Sequence, residues 1–318
     1  MRNFIFATLL GSLLFSPADA TGQELLKLPE KAKFFVHVNI DSFRKTELGA
    51  RLFEMARAEA MVELDDKKAD LEKLRETLGF DPFTDLDAVT MVGSDFDKPE
   101  LQTHLIIKLK KTTGNVEGLI ATLPDYDSSE YGDHIIHSAR PDENKRLFAA
   151  IHTDRRDAKR IVVAPAESQV EDLLDMLDGR NDDRKSVELD TRNGQFVHIE
   201  LLEMPDAKLV GRGPQANITK MMKGLALKVA SDDGELKLTV RMDTTEERQA
   251  KQIRQMVQGA SAMLQMVNNE SDEDFARAQR ILDELKVRRD GKTVRIELKI
   301  PEQDLIDLVE HEMAELEI

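Results

Sequence analysis

Two segments of the chain, residues 34–40 and 196–202, alternate in a way that predicts β-strands, because successive strand side chains point to opposite faces. In FFVHVNI, one predicted face carries Phe34, Val36, Val38 and Ile40, and the other carries Phe35, His37 and Asn39. FVHIELL repeats the pattern with Phe196, His198 and Glu200 on the second face. We therefore expect His37 and His198 to occupy equivalent, half-buried positions in two related strands.

The segments that follow each of these strands come in a similar order. After the first, a helical pattern covers roughly residues 44–78, two alternating strand patterns follow over 88–95 and 100–110, and a short helix precedes Pro124. After the second, an Asp233-Gly234 turn separates two alternating runs, which predicts a β-hairpin, and a helix follows from about residue 244. Each half then continues with further strands, one pair turning at Asp290-Gly291, and closes with a helix.

This repeated order predicts an internal duplication and an α+β fold. We expect two related halves, each a largely antiparallel sheet with helices packed on one face, because hairpins require antiparallel pairing. The predicted boundaries are 21–180 for the first half and 181–318 for the second. The polar stretch 181–193 at the start of the second half is the predicted linker.

The first twenty residues predict a secretory signal peptide. MRNFIFATLLGSLLFSPADA has a basic Arg2, an apolar run of about 12 residues and a small-x-small ending, Ala18-Asp19-Ala20. That run is shorter than the roughly 20 residues that a membrane-spanning helix needs. The expected location is therefore periplasmic or secreted, with no transmembrane segment in the mature chain.

Composition excludes several classes of site. The 318 residues include no cysteine, so disulfides, thiolate zinc sites, iron–sulfur clusters and cysteine nucleophiles are excluded. The formal net charge of −16 repels phosphate backbones, and no basic stripe is visible along the sequence, so nucleic acid is not an expected partner. The short run Lys108, Lys110 and Lys111 is interpreted as a solvated strand edge.

Histidine is the residue type that could carry chemistry here. His37 and His104 fall on the same predicted face of one sheet, and two imidazoles with a carboxylate would make a zinc site. A metal-binding protein or metal-dependent hydrolase using His37 and His104 is thus one hypothesis. The other interpretation treats these histidines as strand residues without a ligand.

Three stretches of the sequence carry a family resemblance. FFVHVNID, LGFDPFTDLDAVTMVG and VRRDGKTVRIELKIPEQDLIDLV resemble segments of a group of exported bacterial proteins with a duplicated α+β architecture. The resemblance implies a bacterial envelope or secreted context. It supplies no catalytic residue.

The favoured hypothesis is an exported, non-enzymatic binding or interaction protein of the bacterial envelope. No catalytic residue, nucleotide-binding motif or cofactor is expected, and the partner would be an unknown envelope protein or a small ligand. The working surface is expected on a helix-free sheet face or in a cleft between the halves. The candidate binding residues are His37, Asn39, His198 and Glu200.

Overall fold

The computed structural model describes residues 23–316 except 64–80, 111–114, 143–144, 155–157, 181–184, 191–193, 207–213 and 267–279. The predicted signal peptide, residues 1–20, lies outside this range. The strands are β1 (Gln23–Leu28), β2 (Phe34–Asn39), β3 (Leu86–Gly93), β4 (Thr103–Leu109), β5 (Asp127–Tyr131), β6 (His134–Asp142), β7 (Lys145–Thr153), β8 (Lys159–Ala164), β9 (Lys185–Asp190), β10 (Gln195–Leu201), β11 (Met222–Asp232), β12 (Glu235–Thr244), β13 (Lys286–Asp290) and β14 (Thr293–Pro301). The helices are α1 (Ile40–Arg44), α2 (Glu47–Glu63), α3 (Pro82–Asp85), α4 (Pro99–Gln102), α5 (Val116–Ile120), α6 (Glu167–Asp178), α7 (Pro214–Met221), α8 (Glu247–Met266) and α9 (Glu302–Leu316).

One large antiparallel sheet dominates the architecture. Its twelve strands follow the order β13-β14-β12-β11-β10-β2-β3-β4-β8-β7-β6-β5, and β1 pairs with β9 in a separate two-stranded sheet. The prediction of an α+β fold with largely antiparallel pairing is therefore confirmed.

The two halves are joined in this one sheet, whereas the sequence suggested a sheet for each half. The join is the antiparallel pair β2–β10, and from it β3 and β4 extend to one side while β11 and β12 extend to the other. The internal duplication itself stays a prediction. Residues 185–190, inside the predicted linker, form β9, which pairs with β1 of the first half.

The Asp-Gly turns of the sequence form the hairpins that they predicted, and another glycine ends a helix. Asp233 and Gly234 adopt φ values of 51° and 75° between β11 and β12, the left-handed geometry that suits a two-residue hairpin turn. Gly179 ends α6 in the left-handed conformation, with its backbone N–H on the carbonyls of Asp175 and Met176.

Helices cover both faces of the large sheet. We call the face that carries Phe35, His37 and His198 the histidine face, because cross-strand pairing puts these side chains on one side. The opposite face packs against most of the helices: Leu48 of α2 and Ile306 of α9 contact Leu236, and Ile253 of α8 contacts Val294.

The histidine face receives α6 and the small sheet. Leu173 and Leu174 of α6, both fully buried, pack on Ile136 and Val162, which belong to this face. The prediction that helices pack on one face only was therefore incomplete. An amphipathic helix such as α6 needs an apolar surface, and β6, β7 and β8 supply one on this side.

Candidate functional site

The two FVH strands meet directly at the centre of the large sheet. β10 pairs with β2 in antiparallel register, and His198 stands opposite His37. Directly opposed residues of antiparallel strands have Cβ atoms only about 5 Å apart. The structure thus brings together the two histidines that the sequence singled out.

Both histidines are buried rather than half-buried as expected. The exposed fraction is 7% for His37 and 1% for His198. The small sheet explains the difference, because Leu28 of β1 packs with Phe35 and Val92 and covers this part of the histidine face. The strand pattern alone could not show this cover, since β1 and β9 come from distant parts of the chain.

Each histidine makes a polar contact on the histidine face. Nδ1 of His37 lies 2.8 Å from the Thr90 hydroxyl, and Nε2 of His198 lies 3.2 Å from a carboxylate oxygen of Glu200. The ring of His198 also meets Phe35 edge-on, with centroids 4.9 Å apart. Arg241 donates to Glu200 over 2.8 Å.

Glu200 is held as a carboxylate by its neighbours. Burial alone would raise the pKa of Glu200, but the contact with His198 and the nearby cations, led by Arg241, lower it below its usual value. Glu200 thus joins His198 of its own strand to Arg241 of β12, so this carboxylate is suited to fixing these strands as much as to binding a ligand.

Asn39, the fourth candidate, has a local structural role. Its side-chain oxygen accepts a hydrogen bond from the backbone N–H of Ser42 over 2.7 Å and so caps the start of α1. This side chain is engaged by its own helix.

The sheet does not bring His37 and His104 together. His37 pairs with Thr90 on β3, whereas His104 pairs with Val92, so the two histidines share a face but lie two strands and two residues apart. With strands about 4.8 Å apart and a rise of about 3.3 Å per residue, their Cα atoms are separated by about 12 Å. Among the residues that the structure describes, no cluster of three or more His, Cys, Asp or Glu side chains is arranged to hold a metal.

A central cleft opens on the histidine face beside His37. It has a volume of about 310 Å³ and lies between the large sheet, α6 and the small sheet. Its apolar lining comes mainly from β1, β9 and α6: Leu25, Leu26, Met176, Leu177 and Leu189. Its polar lining comes mainly from the strands beneath: Lys27, His37, Thr90, Lys108, His152, Asp154 and Arg160.

Two ion pairs hold cations at the floor of the central cleft. Lys108 lies 3.0 Å from Asp87, and Arg160 lies 3.0 Å from Asp154. The sequence was interpreted to place Lys108 at a solvated strand edge, but β4 lies inside the sheet between β3 and β8. A lysine inside the apolar run THLIIKL was the sequence signal for this position.

His152 connects the central cleft to the end of α6. Asp178, the last residue of α6, contacts His134 at 3.0 Å and His152 at 3.1 Å. Burial lowers the pKa of His152, against the opposing charge of Asp178. The imidazole is therefore suited to hydrogen bonding in its neutral form at neutral pH.

The comparisons with known proteins find a weak structural likeness only. Crystal form I of TP0453 aligns with a TM-score of 0.42 and 11% sequence identity over 89% of this chain and 96% of the other. Crystal form III gives a TM-score of 0.41 and 11% identity over 88% and 95%. No protein-family model and no curated protein sequence matches the chain.

None of the helices in the described residues has a stretch long and apolar enough to span a lipid bilayer.

Proposed function

We propose that this protein is an exported, non-enzymatic binding protein of the bacterial envelope, and that its central cleft binds a small organic anion with an apolar part. The observation that carries the proposal is the lining of this cleft. Among the residues that the structure describes, Lys27, Lys108 and Arg160 line the cleft with one carboxylate, Asp154, while leucine side chains form its wall.

The charge of the cleft contrasts with the charge of the whole chain. The chain carries −16, yet among the described residues that line the central cleft the cations outnumber the carboxylates. Pockets for small molecules combine a mainly apolar wall with a few polar groups that fix the orientation of the ligand. A ligand whose acid group contacts Lys108 and Arg160, and whose apolar part packs against Leu177 and Leu189, would use both the charged and the apolar lining of the cleft.

Binding of naphthalene-2-sulfonate, which has this chemistry, tests the proposal. We expect saturable binding by isothermal titration calorimetry, and we expect Lys108→Gln to weaken it roughly fivefold through loss of a charge-assisted hydrogen bond. The matched control is Lys110→Gln, because Lys110 also pairs with an aspartate, Asp41, but does not line the cleft.

The control should bind the sulfonate as the natural protein does. If the sulfonate does not bind, or if both lysine variants weaken binding equally, the cleft is not the anion site. Equal melting temperatures of the variants and the natural protein would show that the comparison concerns binding and not folding.

The export part of the proposal is supported by the sequence of residues 1–20 alone. We expect protein recovered from the periplasm of a bacterial host to begin at Thr21, because signal peptidase cleaves after a small-x-small sequence. Intact mass spectrometry of periplasmic and cytoplasmic fractions measures this. Full-length protein confined to the cytoplasm would contradict export.

The second candidate function, a metal site using His37 and His104, is not favoured by the geometry. The register keeps these side chains two strands apart, with Thr90 and Val92 on the strand between them.

A further inference from the structure

Three arginines stand side by side across neighbouring strands at the far end of the large sheet. Arg241 of β12 pairs in register with Arg295 of β14, and Arg295 pairs with Arg288 of β13. We call Arg241, Arg295 and Arg288 the arginine row. Arg288 and Arg295 belong to one hairpin, whereas Arg241 is far from them in sequence, so the sequence alone does not bring the three together.

The arginine row places like charges next to one another. Neighbouring strands are about 4.8 Å apart, and like charges directly opposite in a sheet are destabilising. Arg241 is compensated by Glu200 at 2.8 Å and Asp243 at 3.2 Å. Within the described part of the chain, Arg288 and Arg295 have no carboxylate within salt-bridge distance.

A groove of about 630 Å³ lies along the arginine row. In the described part of the chain, its charged lining is formed by Arg241, Arg288, Arg289, Arg295, Asp243 and Asp290. Asp243 is already engaged, because it pairs with Arg241 and accepts a hydrogen bond from the Thr293 hydroxyl over 2.7 Å. Arg289 lies 3.6 Å from Glu247 and donates to the carbonyl of Gly291 over 2.9 Å.

The groove is open on the histidine face of these strands. α8 packs on the other face, where Ile253 meets Val294, whose neighbour Arg295 points the opposite way. Arg288 and Arg295 are both exposed. A ligand could therefore reach both guanidinium groups without displacing a described element.

We propose that this groove binds a small multivalent oxyanion, of the polyphosphate or polycarboxylate class, between Arg288 and Arg295. The planar guanidinium group binds phosphate and carboxylate oxygens through paired hydrogen bonds. Two such groups on adjacent strands suit a ligand with several anionic oxygens a few ångströms apart. This site is separate from the central cleft and does not depend on the function proposed for it.

Titration with inorganic tripolyphosphate and with citrate, followed by calorimetry at low salt, tests the site. We expect at least one of them to bind, and Arg288→Ala with Arg295→Ala to weaken its binding about tenfold. The matched control is Lys237→Ala with Lys299→Ala, a directly opposed pair of cations on the same face that does not line the groove. The control should change the affinity much less than the arginine double variant does.

A charge-retaining variant separates geometry from simple charge. Arg288→Lys with Arg295→Lys should recover only part of the affinity, because lysine cannot make the paired hydrogen bonds of arginine. The anion that binds more tightly identifies the preferred oxygen chemistry. The proposal would be overturned if neither anion binds. It would also be overturned if Arg288→Ala with Arg295→Ala and the control Lys237→Ala with Lys299→Ala lose the same affinity. Arg288, Arg295, Lys237 and Lys299 are all exposed. Every variant should therefore still give a single cooperative unfolding transition by circular dichroism, which shows that the affinities compare folded proteins.

Discussion

Glu302→Ala should lower the free energy of unfolding by about 3 kcal/mol, because a fully buried carboxylate leaves its donors without a partner when it is removed. The exposed fraction of Glu302 is 0%. One carboxylate oxygen accepts from the backbone N–H of Leu48 over 2.8 Å, and the other accepts from the Ser231 hydroxyl. Leu48 lies in the first turn of α2, where unpaired backbone N–H groups favour a negative charge.

Chemical denaturation at neutral pH measures this effect, and two variants define its cause. Glu302→Gln keeps the size and one acceptor oxygen, so it should lose less stability than Glu302→Ala. Glu310→Ala, on the same helix, removes an exposed pair with Arg51 at 2.7 Å and should change stability little. Similar losses for Glu302→Ala and Glu310→Ala would show that Glu302 does not join α9 to α2 in the way described.

Acidification from pH 7.5 to 5.5 should also destabilise the protein, because burial lowers the pKa of three histidines. They are His104, His137 and His152, and the carboxylates that oppose the effect are Asp172, Glu117 and Asp178, respectively. A histidine whose pKa is lower in the folded state takes up a proton on unfolding. Stability is therefore complete above the unfolded pKa, near 6.5, and is lost as the pH falls below it, by at most about 1.4 kcal/mol per pH unit for each proton taken up.

Denaturant midpoints at the two pH values measure this loss. The lowered pKa values of Asp41, Asp178 and Glu200 have a similar effect only at lower pH, where carboxylates begin to be protonated. His104→Gln should reduce the difference between pH 7.5 and 5.5, because it removes one of the buried imidazoles. A midpoint that does not move between the two pH values would contradict the role of the buried histidines.

Local structure was well predicted where a short stretch of sequence determines it. The alternation of FFVHVN and FVHIEL forms β2 and β10, and the Asp233-Gly234 and Asp290-Gly291 turns form the hairpins β11–β12 and β13–β14. Glycine at a turn and apolar residues at period two need no distant partner to take effect.

Burial and side-chain neighbours were less predictable because they depend on distant pairing. His37 and His198 are buried under β1 and β9, which pair across more than 150 residues of chain. The same applies to Lys108, Arg160 and His152, whose common position in the central cleft follows from the order β4-β8-β7. Sequence periodicity gives the face of a residue but not the strand beside it.

The central β2–β10 pair also has a consequence for biosynthesis. β2 cannot find its partner until the chain is about 160 residues longer, since Val38 pairs with Val197. Until then, a nascent first half presents β2 as an unpaired strand edge, and Leu28 of β1 lacks the support of β9. Exposed strand edges in slow-forming, long-range sheets promote aggregation. We therefore expect a chain that ends before residue 201 to aggregate more readily than the full chain.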